Sequence, residues 1–146
     1  MRWRIERRPG IAQTQLTILL PDEPEPEAEA LLRFLKKHVR KLTGVLEGYT
    51  VKIAPEEICY IESVDDRTFL YADKAVYESP QRLYQLEQTL ANTSFVRVSK
   101  SVILNADKVE KVRPLLNGKL EALLSNGERQ HINRHYVSSF RSKFEI

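Results

Sequence analysis

Apolar positions in this chain change their period once, near Gly48, and the change separates two segments. Leu31, Leu32, Phe34, Leu35, Val39, Leu42, Val45 and Leu46 recur at helical spacing, so an amphipathic helix is predicted over residues 25–46. Its acids come first (Glu25, Glu27, Glu29) and its bases second (Arg33, Lys36, Lys37, Arg40, Lys41), the order the helix dipole favours. Gly44 or Gly48 is placed to end it. The stretch before it, PDEPEPEAE, has too many prolines for a strand. Residues 3–8 and 13–20 read as two strands joined by Pro9-Gly10, a turn signal. Residues 1–47 are therefore predicted to form a β-β-α arm.

From Gly48 onward the period is two, with Tyr49, Val51 and Ile53 opening a β-rich module over residues 48–146. Strands are predicted at 58–63, 68–72, 75–78, 95–98, 109–113, 119–124 and 129–132. Asp65-Asp66, Asp73-Lys74, Asn117-Gly118 and Asn126-Gly127 are the turns between them. One helix interrupts the strands: Ser79-Pro80 reads as its N-cap and first residue, with Leu83, Leu86 and Leu90 on one face. Residues 134–144 read as a final helical turn or two.

Composition narrows the class. With 42% hydrophobic and 29% charged residues, the chain has the material for a core and is not globally disordered. Its longest apolar runs fall far short of the ~20 residues that span a bilayer, and MRWRIERRPG lacks the apolar stretch of a signal peptide. The single cysteine, Cys59, forms no intrachain disulfide, which points to a reducing compartment; a cytoplasmic protein is expected. Net charge is a mild +3, but its distribution is uneven. Residues 48–93 hold four Lys/Arg against eight Asp/Glu, whereas residues 94–146 hold ten against five. A basic final third suits a partner with phosphates, and equally suits a solvated surface.

Catalytic parts are missing. His131 and His135 have the spacing of a zinc-binding helix, but Ile132 follows where a general-base Glu is needed, and the segment reads as a strand end. None of the glycines is spaced as a phosphate loop. Cys59 lies on an apolar strand, where a small buried side chain is the ordinary role, and Glu56-Glu57 and Asp65-Asp66 fall in turns. The chain is expected to be neither an enzyme nor a cofactor binder. Nucleic-acid recognition has better material, because reading a groove needs long polar side chains held on loops by a rigid scaffold. Asp66-Arg67-Thr68, RVSKS from Arg97 through Ser99 and Lys100 to Ser101, and Asn133-Arg134-His135 each lie at a predicted strand end. Taken alone, Arg97 and Lys100 read as well as surface cations, and Asn133 as an N-cap.

Five blocks decide the matter: ICYIES, RLYQLEQTL, FVRVSKSVILN, Lys108-Val109 and NGERQHINRHY. In order and spacing they resemble the LytTR DNA-binding domain of bacterial transcriptional regulators, over about residues 48–146. The resemblance implies a mostly β fold of stacked antiparallel sheets with one short helix, whose loops enter successive major grooves of double-stranded DNA. It carries DNA contacts to Arg67 and Thr68, to Lys100 and to Arg134; Arg97, Ser99 and Asn133 complete the expected set. Ser99 stands where many members have His, which shortens a base-reading side chain, so the sequence read is expected to differ; Asn133 stands where most have Ser or Thr and still allows a cap or a phosphate contact. The arm of 47 residues is too short for a receiver domain, and with the S-K-S block it resembles small stand-alone LytTR regulators encoded beside a membrane protein. A homodimer, and an inhibitory membrane-protein partner, are the further expectations. The rival expectation is a protein-interaction module on a β scaffold that never reads bases.

Overall fold

The computed structural model describes residues 1–11, 14–38 and 41–146. The chain divides into two compact units, Met1–Arg40 and Lys41–Ile146. The first holds one helix, α1 (Pro26–His38), with proline at its start and Glu27 and Glu29 in its first turn. The two strands expected ahead of it do not form among the described residues; a turn at Pro9-Gly10 is present, with Gly10 at φ +84°. An isolated hairpin is marginal without a third strand or a covering layer, and alternation alone does not supply one. Gln13 of the second expected strand, and Val39 and Arg40 of the expected helix, lie outside the described residues.

The second unit begins inside the expected helix. Residues 42–46, assigned by spacing to the helix, form β1 (Leu42–Leu46), which pairs antiparallel along its full length with β2 (Tyr49–Ile53). Leu42, Gly44 and Leu46 also fit a period of two, and Thr43, Val45 and Gly44 are poor helix interiors. Glu47 and Gly48, at φ +52° and +81°, make the two-residue turn that a right-twisted hairpin needs. Gly44 is no helix end but a close approach: a Cβ there would stand 2.7 Å from Ile53 Cδ1 and 2.8 Å from Tyr77 Cβ.

The remaining strands are β3 (Ile58–Val64), β4 (Arg67–Ala72), β5 (Val76–Ser79), β6 (Phe95–Arg97), β7 (Val102–Asn105), β8 (Val109–Pro114), β9 (Leu120–Leu124) and β10 (Arg129–Ile132). The helices are α2 (Leu83–Thr89) and α3 (Val137–Phe144). A seven-stranded sheet runs β2-β1-β5-β4-β3-β7-β6, and a three-stranded sheet β10-β9-β8; every pairing is antiparallel. This is the expected mostly β architecture. Two cores lie on opposite faces of the large sheet. Ile58, Ile61, Leu70 and Ile103 pack with Leu83, Leu86 and Leu90 around α2, while Cys59, Tyr60 and Leu104 pack with Leu120, Ala122, Leu124, Ile132 and Phe140 of the small sheet and α3.

Burial on both faces explains what alternation missed. All four residues of β7 are buried, so this strand shows no period and alternation does not predict it. Its last residue, Asn105, is 1% exposed and makes three side-chain hydrogen bonds. It donates to the Ile58 carbonyl at 2.9 Å and accepts from Ser94 Oγ at 2.7 Å and the Asp107 N–H at 3.1 Å. The expected N-cap Ser79 closes β5 instead, paired with Thr68, and its hydroxyl accepts from the Gln81 N–H. α2 starts later, where Gln85 Oε1 accepts from the Arg82 N–H at 2.8 Å.

Candidate nucleic-acid interface

Three connections meet at one end of the large sheet. Asp65 and Asp66, at φ +51° and +62°, form the tight β3–β4 turn that hands the chain to Arg67. Residues 98–101 join β6 to β7, and Asn133 and Arg134 lead from β10 toward α3. Backbone hydrogen bonds tie the three together: the Ser63 N–H donates to the Ser101 carbonyl at 2.8 Å, and the Asn133 N–H to the Val98 carbonyl at 2.9 Å. The middle loop is thus gripped from both sides by the ends of β3 and β10. The loop gathering expected from the strand ends is present in the fold.

Within that loop one side chain is spent on the backbone. Arg97 donates through Nε to the Ser99 carbonyl at 2.8 Å and through a terminal nitrogen to the Lys100 carbonyl at 2.6 Å, and it pairs with Glu87 of α2. Ser99 is half-buried and accepts from the Ser101 N–H at 3.2 Å. Arg97 and Ser99 shape the loop; Lys100 is what the loop presents, exposed and in no ion pair among the described residues.

Arg67 is exposed but engaged. Its guanidinium bonds both oxygens of Glu78 on β5, at 2.9 and 2.6 Å, and sits 5.4 Å from the Phe69 ring centre. That hydrogen bonding holds the Glu78 carboxyl below its ordinary range. Thr68 is 4% exposed and is held in the sheet between Ser63 of β3 and Ser79 of β5, so it offers little surface to a groove. Thr68, Arg97 and Lys100 share a shallow depression of about 190 Å³ with Asp66, Arg82 and Tyr84. The sequence pattern did not single out Arg82 or Tyr84; their place at the start of α2, next to its first buried leucine, was the available signal.

Arg134 is exposed at the far side of the site, and its aliphatic stem lies over the β8–β9 turn: a Cβ on Gly118 would stand 3.1 Å from Arg134 Cδ. Gly118, at φ +74°, makes room for it. Away from this end, a more open depression of about 380 Å³ is lined by Glu56, Glu57, Asp73, Lys74 and Lys108, a mixed-charge rim. Beside it the buried Cys59 donates to Asp73 Oδ1 at 3.3 Å, and burial, with that carboxylate, pushes its thiol up to about 11. It is a packed thiol, not a nucleophile. Among the described residues no group of three metal-ligating side chains occurs.

Exposed cations on loops locked to a β scaffold define a class, the nucleic-acid-binding module that uses rigid strands to aim side chains at phosphates and base edges. The particular member follows. Residues 48–145 match the family model of the LytTr DNA-binding domain, and the chain belongs to that family, which is one of DNA-binding domains and not of enzymes. It is 36% identical over 95 residues to the sensory transduction protein LytT of Enterococcus faecalis, covering 64% of this chain and 39% of that protein. It is 25% identical over 79 residues to the transcriptional regulatory protein LytR of Staphylococcus aureus, covering 54% of this chain and 32% of that one. The chain thus spans well under half the length of these relatives. A solved LytTr DNA-binding domain from Bacillus cereus shares the fold, with a TM-score of 0.68 at 23% identity over 73% of this chain and 97% of that domain. No helix among the described residues is long and apolar enough to cross a membrane.

Proposed function

We propose that this protein is a cytoplasmic transcription regulator that reads double-stranded DNA in the major groove with Lys100 and Arg134, while Arg97 and Ser99 position Lys100 from behind. The observation that carries this reading is the pair of backbone hydrogen bonds, Ser63 to Ser101 and Asn133 to Val98, which lock three cation-bearing loops into one surface. A lysine presents a point charge to guanine O6/N7 or to phosphate, and an arginine can bind the same guanine edge bidentately. Arg67 contributes when it exchanges Glu78 for a phosphate, and Asn133 stands next to Arg134 with its N–H bonded to the Val98 carbonyl. The family match does not favour the protein-interaction alternative.

The arm, now the Met1–Arg40 unit, is proposed as the part through which two copies associate, so that a dimer reads paired half-sites. Control by a membrane-protein partner fits if that partner binds the DNA-free form more tightly; tenfold suppression of occupancy needs about 1.4 kcal/mol of such coupling. The test of the DNA reading starts with duplexes selected from a random library on the full chain. Lys100→Ala and Arg134→Ala are each expected to cost about 1–3 kcal/mol of specific binding at nearly unchanged melting temperature. Parent-like binding by both variants refutes the assignment.

A further inference from the structure

Within the Lys41–Ile146 unit the small sheet turns one face inward and has no layer packed on the other. Leu120, Ala122 and Leu124 of β9 are buried, so Glu121 and Leu123 alternate to the outer face. Pairing register then sets two rows across that face, Arg113–Glu121–His131 and Lys111–Leu123–Arg129. Arg113 Nε and an Arg129 terminal nitrogen both donate to Glu121 Oε1, at 3.0 and 2.7 Å, and His131 Nε2 stands 3.6 Å from Oε2. One carboxylate therefore holds two guanidiniums in place and cannot neutralise both. Lys111 on β8 and Lys119 in the turn before β9 are exposed and in no ion pair among the described residues. Of the sheet's other acids, Glu110 sits at the register shift at the far end of β8, and Glu128 is engaged by the Tyr60 hydroxyl.

We propose that this outer face is a second phosphate-binding surface, which takes the sugar-phosphate backbone of the bound duplex beside the stretch read by the three loops. The proposal rests on the DNA reading above. Two observations choose nucleic acid as the occupant. The face borders the loop end directly, because β10 runs through Asn133 into Arg134 and the β8–β9 turn packs under the Arg134 stem. Its charge is also of the right kind: guanidiniums oriented by a carboxylate keep further N–H donors for phosphate oxygens, with lysines at the margin. Such contacts position the protein without carrying sequence information, so the face governs affinity and salt dependence and leaves the preferred sequence alone.

The experiment compares the full chain with Lys111→Gln/Lys119→Gln and with Glu121→Gln on a selected duplex. The duplex is used in two lengths, trimmed to the bases protected by the loops, and extended by about one helical turn of 10 bp on each side. The double lysine variant is expected to bind the extended duplex more weakly, with a log–log salt slope shallower by about 0.9 for each phosphate it no longer neutralises, and the trimmed duplex like the parent. Glu121→Gln, which removes the one acid at the centre, is expected to bind the extended duplex more tightly. Opposite signs from the two changes separate a charge effect from a disturbed fold, and melting curves check the latter. If the lysine variant keeps the parent's affinity and slope on the extended duplex while Lys100→Ala lowers them, the face is refuted and the loop reading stands; a face built for an acidic protein would give that result. If the parent prefers no duplex over random sequence, the loop reading itself fails and the proposal with it.

Discussion

Trp3, Ile5, Leu16 and Leu19 in the Met1–Arg40 unit are 78%, 80%, 70% and 91% exposed, whereas Ile58, Ile61 and Leu70 in the Lys41–Ile146 unit are buried completely. Both sets come from short alternating or apolar stretches that read as strands. Only the second has neighbours on both edges and layers on both faces, and only the second forms strands. Covering layers, not alternation, turn an apolar stretch into a sheet. In the arm the same residues remain a surface, and exposed apolar surface of this kind suits a partner.

The contrast is sharpest at Phe140, fully buried against the small sheet and stacked 5.4 Å from Phe144. Phe140→Ala is expected to cost about 3–5 kcal/mol in urea unfolding, through reduced burial and the cavity left behind. Leu19→Ser in the arm is expected to stay within about 0.5 kcal/mol in the same measurement. Equal costs would mean that the arm is packed as tightly as the sheets.

Asn105 comes next. Asn105→Ala removes three hydrogen bonds at once and leaves the buried Ile58 carbonyl without that donor, so a loss of about 1–3 kcal/mol is expected, read by thermal and chemical unfolding together. A neutral result would show that water or a neighbour replaces the amide.

Removing the arm should change stability little and assembly a great deal. The cut belongs before Lys41, because a chain starting at Gly48 would lose β1, the strand that β2 pairs with in the sheet. Lys41–Ile146 is expected to melt as one transition near the parent's temperature and to sediment as a monomer, with the full chain expected to sediment as a dimer. The same sedimentation for both would remove the arm from the assembly.

The smallest expected effect is pH-dependent. Arg129 and Arg113 hydrogen bonds hold the Glu121 carboxyl below its ordinary value, and Arg67 does the same for Glu78. A carboxylate depressed in the folded state stabilises it above the unfolded value of 4.5, and that contribution is lost as pH falls through the folded value. The melting temperature of the parent should therefore fall below about pH 4.5, and Glu78→Gln/Glu121→Gln should flatten that fall. Parallel curves for parent and variant would mean that these exposed pairs contribute nothing measurable.

Much of the sheet unit could be read from residues alone: the turns at Asp65-Asp66 and Asn117-Gly118, the leucine face of α2, and the strand ends that carry Arg67, Lys100 and Arg134. Local chemistry decides these, since a positive φ, a helical spacing or a strand boundary each leaves a mark within a few residues. β7 left no such mark because both its faces are buried, and residues 42–46 left an ambiguous one because three- and four-residue spacing and alternation overlap there. The loop cations were visible as a set, and their roles were not. Arg97 and Arg67 carry the same charge as Arg134, but Glu87 and Glu78 engage the first two, and those acids lie on α2 and β5, 10 and 11 residues away in the chain. By itself the sequence determined the family, the β architecture and the strand-end loops, because these rest on short-range patterns. Only the tertiary structure decided which cations are presented and which are tied down, because that depends on where the folded sheet brings the acids.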